Sequence, residues 1–502
     1  MDGLSDLVHR RVELAVQLLP LLLAEAGSQT DRVVTDVTVQ TAFERQRAAF
    51  ALDAWPSYEV RVQRLRALEA VILTHQEAIP KALDLDFGGR SRHESTFIDV
   101  FAPLSSVRYV RKNLRAWMAP QRRRVELFLQ PSRAEVRVQP KGVVGIIAPW
   151  NYPFYLALAP LAAAIAAGNR VLLKPSEVAP RSAELISRML AEAFDEDLVA
   201  TLTGGPEIAQ ALAALPLDHL FFTGSASIAR SILRAAAENL TPVTLELGGK
   251  CPAIVHADYP AARAAKRIVV GKFFNAGQTC VAPDYVLVQA ERRDALAAAI
   301  EAEVSRSYPK VSGNGDYTAI IDARHWARLS ELIDDARNHG ATIMTIDPGA
   351  GQQDAGERRM SPTLVLAADE RMRVMREEIF GPVLPLVTYE RLDDAIAFVN
   401  RRARPLALYY FDDRGERVER VLSRTMSGGA SVNETALHVL DMDLPFGGIG
   451  PSGMGAYHAQ AGFETFSHRK AVLLRGRPNT ADLLAPPYGK LFDRVMRFLI
   501  GS

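Results

Sequence analysis

Cysteine is almost missing from this chain: Cys251 and Cys280 are the only two among 502 residues. Two cysteines build no disulfide framework, and so sparse a use fits a reducing cytoplasm. Long apolar runs are missing too. A membrane-crossing helix needs roughly 18–20 apolar residues, and the longest runs, such as Leu156–Ala167, fall short of that. No charged segment followed by an apolar one opens the sequence, so no secretory signal and no stable membrane anchor are expected. Charge of one sign is not in excess, with 59 Lys and Arg against 58 Asp and Glu. That balance argues against nucleic acid or an anionic membrane as the main partner. Neither His-Glu-x-x-His nor a spaced Cys/His set occurs, so no metal is expected.

What is present is a long chain, 48% hydrophobic, with material for two or three full cores. Leu4–Ala26 reads as a helix in an N-terminal extension. Phe43–Trp55, Val60–Leu83 and Phe97–Met118 carry helical periodicity. Val125–Gln130 and Glu135–Gln139 read as a hairpin around Pro131–Ala134, placed to project as an arm. From Gly142 onward the pattern alternates. Strands are expected at Val143–Ala148, Val171–Lys174, His219–Phe222 and Val243–Leu247, with helices between them. A second alternating set follows at Ala253–His256, Tyr285–Gln289, Ala341–Ile346, Pro362–Leu366, Leu406–Phe411 and Ala430–Asn433. Strand-helix alternation predicts an α/β protein with two doubly wound parallel sheets.

Cys280 sits in Phe274–Val281, between the helical run Ala261–Asn275 and the strand-like Tyr285–Gln289. A thiol at such a junction can face a cleft with its own amide free to donate, as a nucleophile for a carbonyl requires. A buried apolar cysteine is the competing reading. Asn151, held between Pro149 and Pro153 after a strand end, can aim its side-chain amide, or can simply close a turn. Lys174 and Glu177 suit two ribose hydroxyls or a solvated turn. Gly224-Ser225 opens a helix and suits a pyrophosphate or an ordinary N-cap. Glu246, a strand-end carboxylate before Gly248-Gly249, is a candidate general base or a loop ion pair. Glu378 and Phe380 suit a ribose and a planar ring, or a turn with a core Phe. Gly448–Gly453 satisfies G-x-G-x-x-G but follows no strand and contains Pro451, so it reads as a tight loop near the site.

Pro-Trp-Asn-Tyr-Pro, Lys-Pro-Ser-Glu, Phe-Thr-Gly-Ser, Glu-Leu-Gly-Gly-Lys, Gly-Gln-Thr-Cys, Glu-Glu-Ile-Phe-Gly-Pro and Pro-Phe-Gly-Gly follow one another in the order of the aldehyde dehydrogenase superfamily. The resemblance covers about Val39–Leu474. Arg404–Phe411, Leu437-His438-Val439, Leu444–Gly448 and the tail Pro487–Arg494 resemble the class 3 branch and its coniferyl aldehyde dehydrogenases. The resemblance implies Cys280 as nucleophile, Glu246 as general base and Asn151 as oxyanion donor. It implies NAD, with NADP possible, held by Trp150, Lys174, Glu177, Gly224, Ser225, Leu247, Glu378 and Phe380. Many relatives carry Gly where this chain has Ala229, which puts the pyrophosphate geometry in question.

The implied layout is an N-terminal extension over 1–40, a cofactor domain from 41–122 and 142–247, and a catalytic domain over 248–440. An oligomerisation arm comes from 123–141 and 463–475, a site loop spans 441–462, and a helical tail spans 476–502. The expected product is a cytoplasmic homodimer that oxidises a hydrophobic aldehyde, of coniferyl or of medium- to long-chain aliphatic type, to the acid. A cofactor-free thiol esterase and a non-catalytic protein on the same fold stay open as rivals.

Overall fold

The structure, a computed structural model, describes residues 38–126, 129–349, 358–477 and 485–501. The helix expected over Leu4–Ala26 lies outside the described residues. A six-stranded sheet runs in the order Gly453–Met454, Val243–Glu246, His219–Thr223, Val143–Ile147, Arg170–Lys174, Val199–Thr201. All its neighbours are parallel except the first pair. Val143–Ile147 and Arg170–Lys174 are buried at every position, as strands covered on both faces must be. The Ala-rich helix Pro153–Ala167 is buried along its whole length. Pro153 starts it without losing an intrahelical bond, and Gly168 stops it at a left-handed φ of 95°.

This strand order sets four strand ends side by side: Glu246, Thr223, Ile147 and Lys174. The segments after them carry Gly248, Gly224, Asn151 and Glu177. Crevices beyond the carboxyl ends of parallel strands are where such sheets bind ligands.

The second sheet has seven strands, in the order Thr342–Thr345, Thr363–Leu366, Val383–Tyr389, Tyr285–Gln289, Pro252–Val255, Ala407–Phe411, Gly429–Val432. Only Thr342–Thr345 pairs antiparallel. Both sheets therefore carry one antiparallel edge, where the sequence pattern predicts parallel pairing alone.

Three further expectations need correction. Val383–Tyr389, deep in the second sheet, is not among the predicted strands; Gly381-Pro382 before it and Pro385 within it mask its pattern. Val60–Leu83 is not one helix but two, Tyr58–Thr74 and Ala78–Phe87, because Pro80 cannot continue a helix through 76–80. The arm's first strand is Gln121–Arg123 rather than Val125–Gln130, whose described residues form no strand. Gln121–Arg123, Arg133–Pro140 and Ser467–Leu474 make one antiparallel sheet. The Gly448–Gly453 loop also does more than turn: Gly453 pairs with Glu246 and Leu247 donates to the Ser452 carbonyl at 3.1 Å. The tail does form a helix, Lys490–Ile500, and Leu491, Phe498, Leu499 and Ile500 on it are exposed.

Candidate active site

The loop that carries Cys280 starts where the helix Ala261–Phe273 breaks. Asn275 and Ala276 take φ 51° and Gly277 takes φ 75°. Left-handed backbone at two non-glycine residues in a row is strained and marks a loop held by its surroundings. A Cβ at position 277 would lie 2.3 Å from the Gly381 carbonyl, so only glycine lets the two loops meet there. Gln278 locks the turn. Its amide donates to the Asn275 and Ala319 carbonyls, both at 3.0 Å, and its oxygen accepts from Ile321 N at 3.0 Å. The amides of Cys280 and Val281 are directed at the Cys280 sulfur. Burial, and then the charges of Glu378 and Glu246, push the thiol up to about 12.

Glu246 ends its strand facing the same cleft. It is 3% exposed, and neither carboxyl oxygen has a hydrogen-bond partner. Burial alone raises its pKa well above the usual carboxylate range. Buried polar atoms are nearly always paired. A carboxyl group left bare in a cleft is ready to accept a proton from something that enters. Glu378 accepts from Gly249 N at 3.1 Å, and burial raises its carboxyl to about 7. A Cβ on residue 248 would fall 2.1 Å from a Glu378 oxygen, so Gly248 makes room for that side chain.

Asn151 is placed by residues that the sequence pattern does not single out. Arg90 donates to the Asn151 carbonyl at 2.9 Å and pairs with Asp99 at 3.0 Å, both side chains fully buried. Asp99 accepts from Phe154 N and Tyr155 N, capping the helix that follows Asn151. Asn275 also donates to the Asn151 carbonyl, at 3.2 Å. The Asn151 side-chain amide donates one hydrogen to the Gln278 carbonyl at 3.1 Å, which leaves the other for the cleft. Glu94 holds the far side through Asn275 N and the Thr318 hydroxyl. A charged residue inside an apolar helical run, as Asp99 is, was the one available signal.

The cleft has a volume of about 230 Å³, and its walls include Trp150, Asn151, Gly224, Ser225, Glu246, Leu247, Cys280, Glu378 and Phe380. Of the site residues singled out in the sequence, only Lys174 and Glu177 stand outside it. They are ion-paired with each other at the end of the neighbouring strand. Trp150 packs edge-on against Phe380 at 5.4 Å and His325 at 4.9 Å, so aromatic rings form one wall. Phe380 sits at φ 51°, a further strained non-glycine position. Ser225 caps its helix by accepting from Ile228 N at 3.4 Å. Ala229 is buried in an apolar cluster and does not line the cleft, so its methyl group stays out of that space. The donor set thus fits a dinucleotide: a carboxylate and a lysine for one ribose, a helix start for phosphates and an aromatic wall for a planar ring.

A second cavity also reaches Cys280. It is apolar, walled by Phe97, Ile98, Val270, Phe274, Leu437, Val439 and Leu440 among others. Leu156, Cys280, Phe446 and Tyr457 line both cavities. Cys280 thus lies where the cleft and the apolar channel meet.

The sequence matches the aldehyde dehydrogenase family over residues 29–472. The chain belongs to the aldehyde dehydrogenase family. A probable coniferyl aldehyde dehydrogenase of Pseudomonas aeruginosa is 48% identical over 458 residues, 91% of this chain and 95% of that one. The substrate-bound state of Staphylococcus aureus AldH matches with a TM-score of 0.87 at 37% identity, covering 92% of this chain and 99% of that one. Betaine aldehyde dehydrogenase of Staphylococcus aureus in complex with NAD+ matches with a TM-score of 0.79 at 27% identity, over 88% of each chain.

In this aldehyde dehydrogenase Glu246 is not alone in lacking a partner. Lys272 is fully buried and its ammonium has no hydrogen-bond partner. Burial lowers its pKa to about 8, against partial compensation from Asp284. An unfolded lysine titrates near 10.4, so between about pH 8 and 10.5 the unfolded chain holds more protons than the native one. Native stability must rise with pH across that window, by at most about 3 kcal/mol. Lys272→Met removes the effect. From pH 8 to pH 10 the wild-type protein is expected to gain about 2 kcal/mol on the variant in urea unfolding. A gap that stays constant with pH would show that Lys272 gains a stabilising partner in solution.

Proposed function

We propose that this enzyme oxidises hydrophobic, aromatic aldehydes of the coniferyl type to their acids with NAD, using Cys280 as nucleophile, Asn151 as oxyanion donor and Glu246 as general base. The observation that carries this reading is the position of Cys280 between the apolar channel and the polar cleft. An aldehyde entering the channel meets the sulfur from one side, while the cleft leaves the other side to the cofactor. The Pseudomonas aeruginosa relative is named for coniferyl aldehyde, and the betaine aldehyde dehydrogenase structure contains NAD+.

Lys174 and Glu177 would hold the adenosine ribose, Gly224 and Ser225 the pyrophosphate, Glu378 the nicotinamide ribose, and Trp150, Leu247 and Phe380 the ring. NAD, when bound, supplies the hydride acceptor. The Cys280 thiolate, its proton passed to water, bonds to the aldehyde carbon as the carbonyl π pair moves to oxygen, giving a thiohemiacetal anion. The free Asn151 amide hydrogen and the Cys280 backbone amide stabilise its oxyanion. Loss of hydride from that carbon leaves a thioester on Cys280. Glu246 takes a proton from water, the water oxygen bonds to the acyl carbon, the C–S bond breaks and the acid leaves. A cofactor-free esterase needs neither the aromatic wall nor the paired Lys174 and Glu177. A panel of cinnamaldehydes, octanal and acetaldehyde, followed at 340 nm with NAD, tests the reading. Efficiency highest on acetaldehyde, or no NAD-dependent absorbance, would refute it.

The same site predicts NAD over NADP. A 2′-phosphate would bring negative charge against Glu177, and like charges about 4 Å apart repel by roughly 4 kcal/mol at an effective dielectric near 20. Side-chain rotation and the neighbouring Lys174 relieve much of that. Glu177→Gln is expected to shift the NADP to NAD ratio of kcat/KM about tenfold toward NADP. An unchanged ratio places the adenosine ribose elsewhere.

The arm supports a homodimer. Ser467–Leu474 is an eight-residue strand at the edge of its sheet, with Leu473 and Leu474 exposed. Such an edge is a template for pairing with a second chain.

A further inference from the structure

The apolar channel contains one polar pair that the reaction above does not use. Tyr155, in the first turn of the helix Pro153–Ala167, places its hydroxyl 3.1 Å from Nε2 of His458. His458 is 5% exposed and stands at φ 87°, and its ring stacks on Phe446 at 5.1 Å. Backbone strain at a non-glycine residue persists only where the surroundings hold it, so this imidazole is a fixed fixture of the channel wall.

The other ring nitrogen, Nδ1, is buried and has no partner. That settles the tautomer. A buried N–H without an acceptor costs more than an empty acceptor lone pair. The proton therefore belongs on Nε2, and His458 donates to the Tyr155 oxygen. Burial lowers the His458 pKa to about 3, so the ring stays neutral. With its oxygen accepting from His458, the Tyr155 hydroxyl proton needs an acceptor of its own. The Val439 carbonyl, at 3.5 Å, is too far for a good O–H···O bond.

Among the other hydroxyls of the channel, Thr435 donates to the Arg267 carbonyl at 2.6 Å, and Tyr152 and Thr279 share a bond that uses one of their two protons. Tyr457 lines both cavities and stands beside Glu246 and Cys280, at the reacting end. We infer that Tyr155, oriented by His458, is a specificity-determining hydrogen-bond donor for an oxygen substituent on the substrate, so that the channel selects aldehydes that are apolar in bulk but carry one acceptor oxygen, such as an aryl ether or phenol. This inference rests on the aldehyde dehydrogenase reading and refines its substrate class. The substituent needs only to accept. A methoxy group must therefore serve as well as a hydroxyl group.

The experiment compares kcat/KM of the full-length enzyme and Tyr155→Phe with NAD on cinnamaldehyde, 4-methoxycinnamaldehyde and 4-hydroxycinnamaldehyde. Phenylalanine keeps the ring and removes only the hydroxyl group. The ratio of either oxygenated aldehyde to cinnamaldehyde is expected to fall roughly tenfold in the variant, about the effect of one hydrogen bond in a dry site. His458→Asn, whose asparagine tolerates positive φ but cannot reach Tyr155, is expected to lower the same ratio. Three outcomes overturn the inference. All three aldehydes losing efficiency by one factor puts Tyr155 at the shared carbonyl. A ratio that falls for the hydroxylated but not the methoxylated aldehyde makes it an acceptor. Unchanged ratios give it no role in selection. A wild-type enzyme inactive on all three sinks the dehydrogenase reading, and this one with it.

Discussion

Cys280→Ala is expected to abolish aldehyde oxidation while NAD still binds. Loss of a covalent nucleophile removes the step on which every later one depends, and kcat should fall on the order of 10⁴-fold or more. The only other thiol cannot take over. Cys251 is fully buried, its sulfur lies 3.5 Å from the Cys280 carbonyl and accepts from Ala407 N at 3.4 Å, and burial raises its pKa well above the normal thiol range. It belongs to the packing beneath the Cys280 loop. The residues assigned to the cofactor are untouched by the substitution, so quenching of Trp150 fluorescence by NAD should persist with nearly the same Kd. Production of NADH above about one per cent of the wild-type rate would move the nucleophile elsewhere. Loss of both activity and NAD binding would mean that the loop itself had collapsed.

The motifs around this site were readable because each stands at the end of a regular element. Glu246 and Lys174 end their strands, Asn151 and Gly224 follow theirs, and parallel strands place their ends in register. Cys280 was readable from the change of pattern between the helix Ala261–Phe273 and the strand Tyr285–Gln289. Helices Arg293–Ser307 and Ala323–Asn338 lie between strands of the second set, as the strand-helix alternation predicts. Val383–Tyr389 did not stand out, because Pro385 and Gly381-Pro382 imitate loop composition. The supporting network was hidden for a different reason. Arg90, Asp99, Glu94 and Gln278 act through contacts that reach across as many as 224 residues of chain, which no local pattern encodes. The same holds for Tyr155 and His458, 303 residues apart in the chain.

Such long-range contacts explain how a site can hold groups in costly states. Asn275, Ala276, Phe380 and His458 all keep left-handed backbone, and each borders Cys280, the cleft or the channel. The buried pair Arg90–Asp99 and the Gln278 bonds over-determine the loops, so strain that a free loop would relax stays in place. A rigid surround also lets Glu246 remain unpaired, since no neighbour can swing in to satisfy it.

Glu246→Gln is expected to stop turnover after the first hydride transfer. Glutamine keeps the shape of the side chain but cannot take a proton from water. Neither Glu246 oxygen has a hydrogen-bond partner to lose, so the substitution should leave the fold intact. It also removes a negative charge close to Cys280. Whenever Glu246 is ionised its charge acts to hold the Cys280 thiol protonated, so the variant should form its thiolate at least as readily as the wild type. Attack on the aldehyde and loss of hydride then proceed, and the thioester accumulates. In a stopped-flow experiment with NAD and cinnamaldehyde, one equivalent of NADH per active site should appear in a burst. The steady-state rate should then be 10²- to 10⁴-fold below wild type, the usual contribution of a positioned general base. Mass spectrometry of the quenched enzyme should find the acyl group on Cys280. If no burst appears, Glu246 acts before hydride transfer, as the base that deprotonates Cys280. Comparison with the wild-type burst separates the two roles: a base needed only for hydrolysis leaves the variant's burst at least as fast as the wild type's at neutral pH, whereas a base needed to activate the thiol leaves it slower than the wild type's and catching up only as the solution approaches the thiol's own raised pKa.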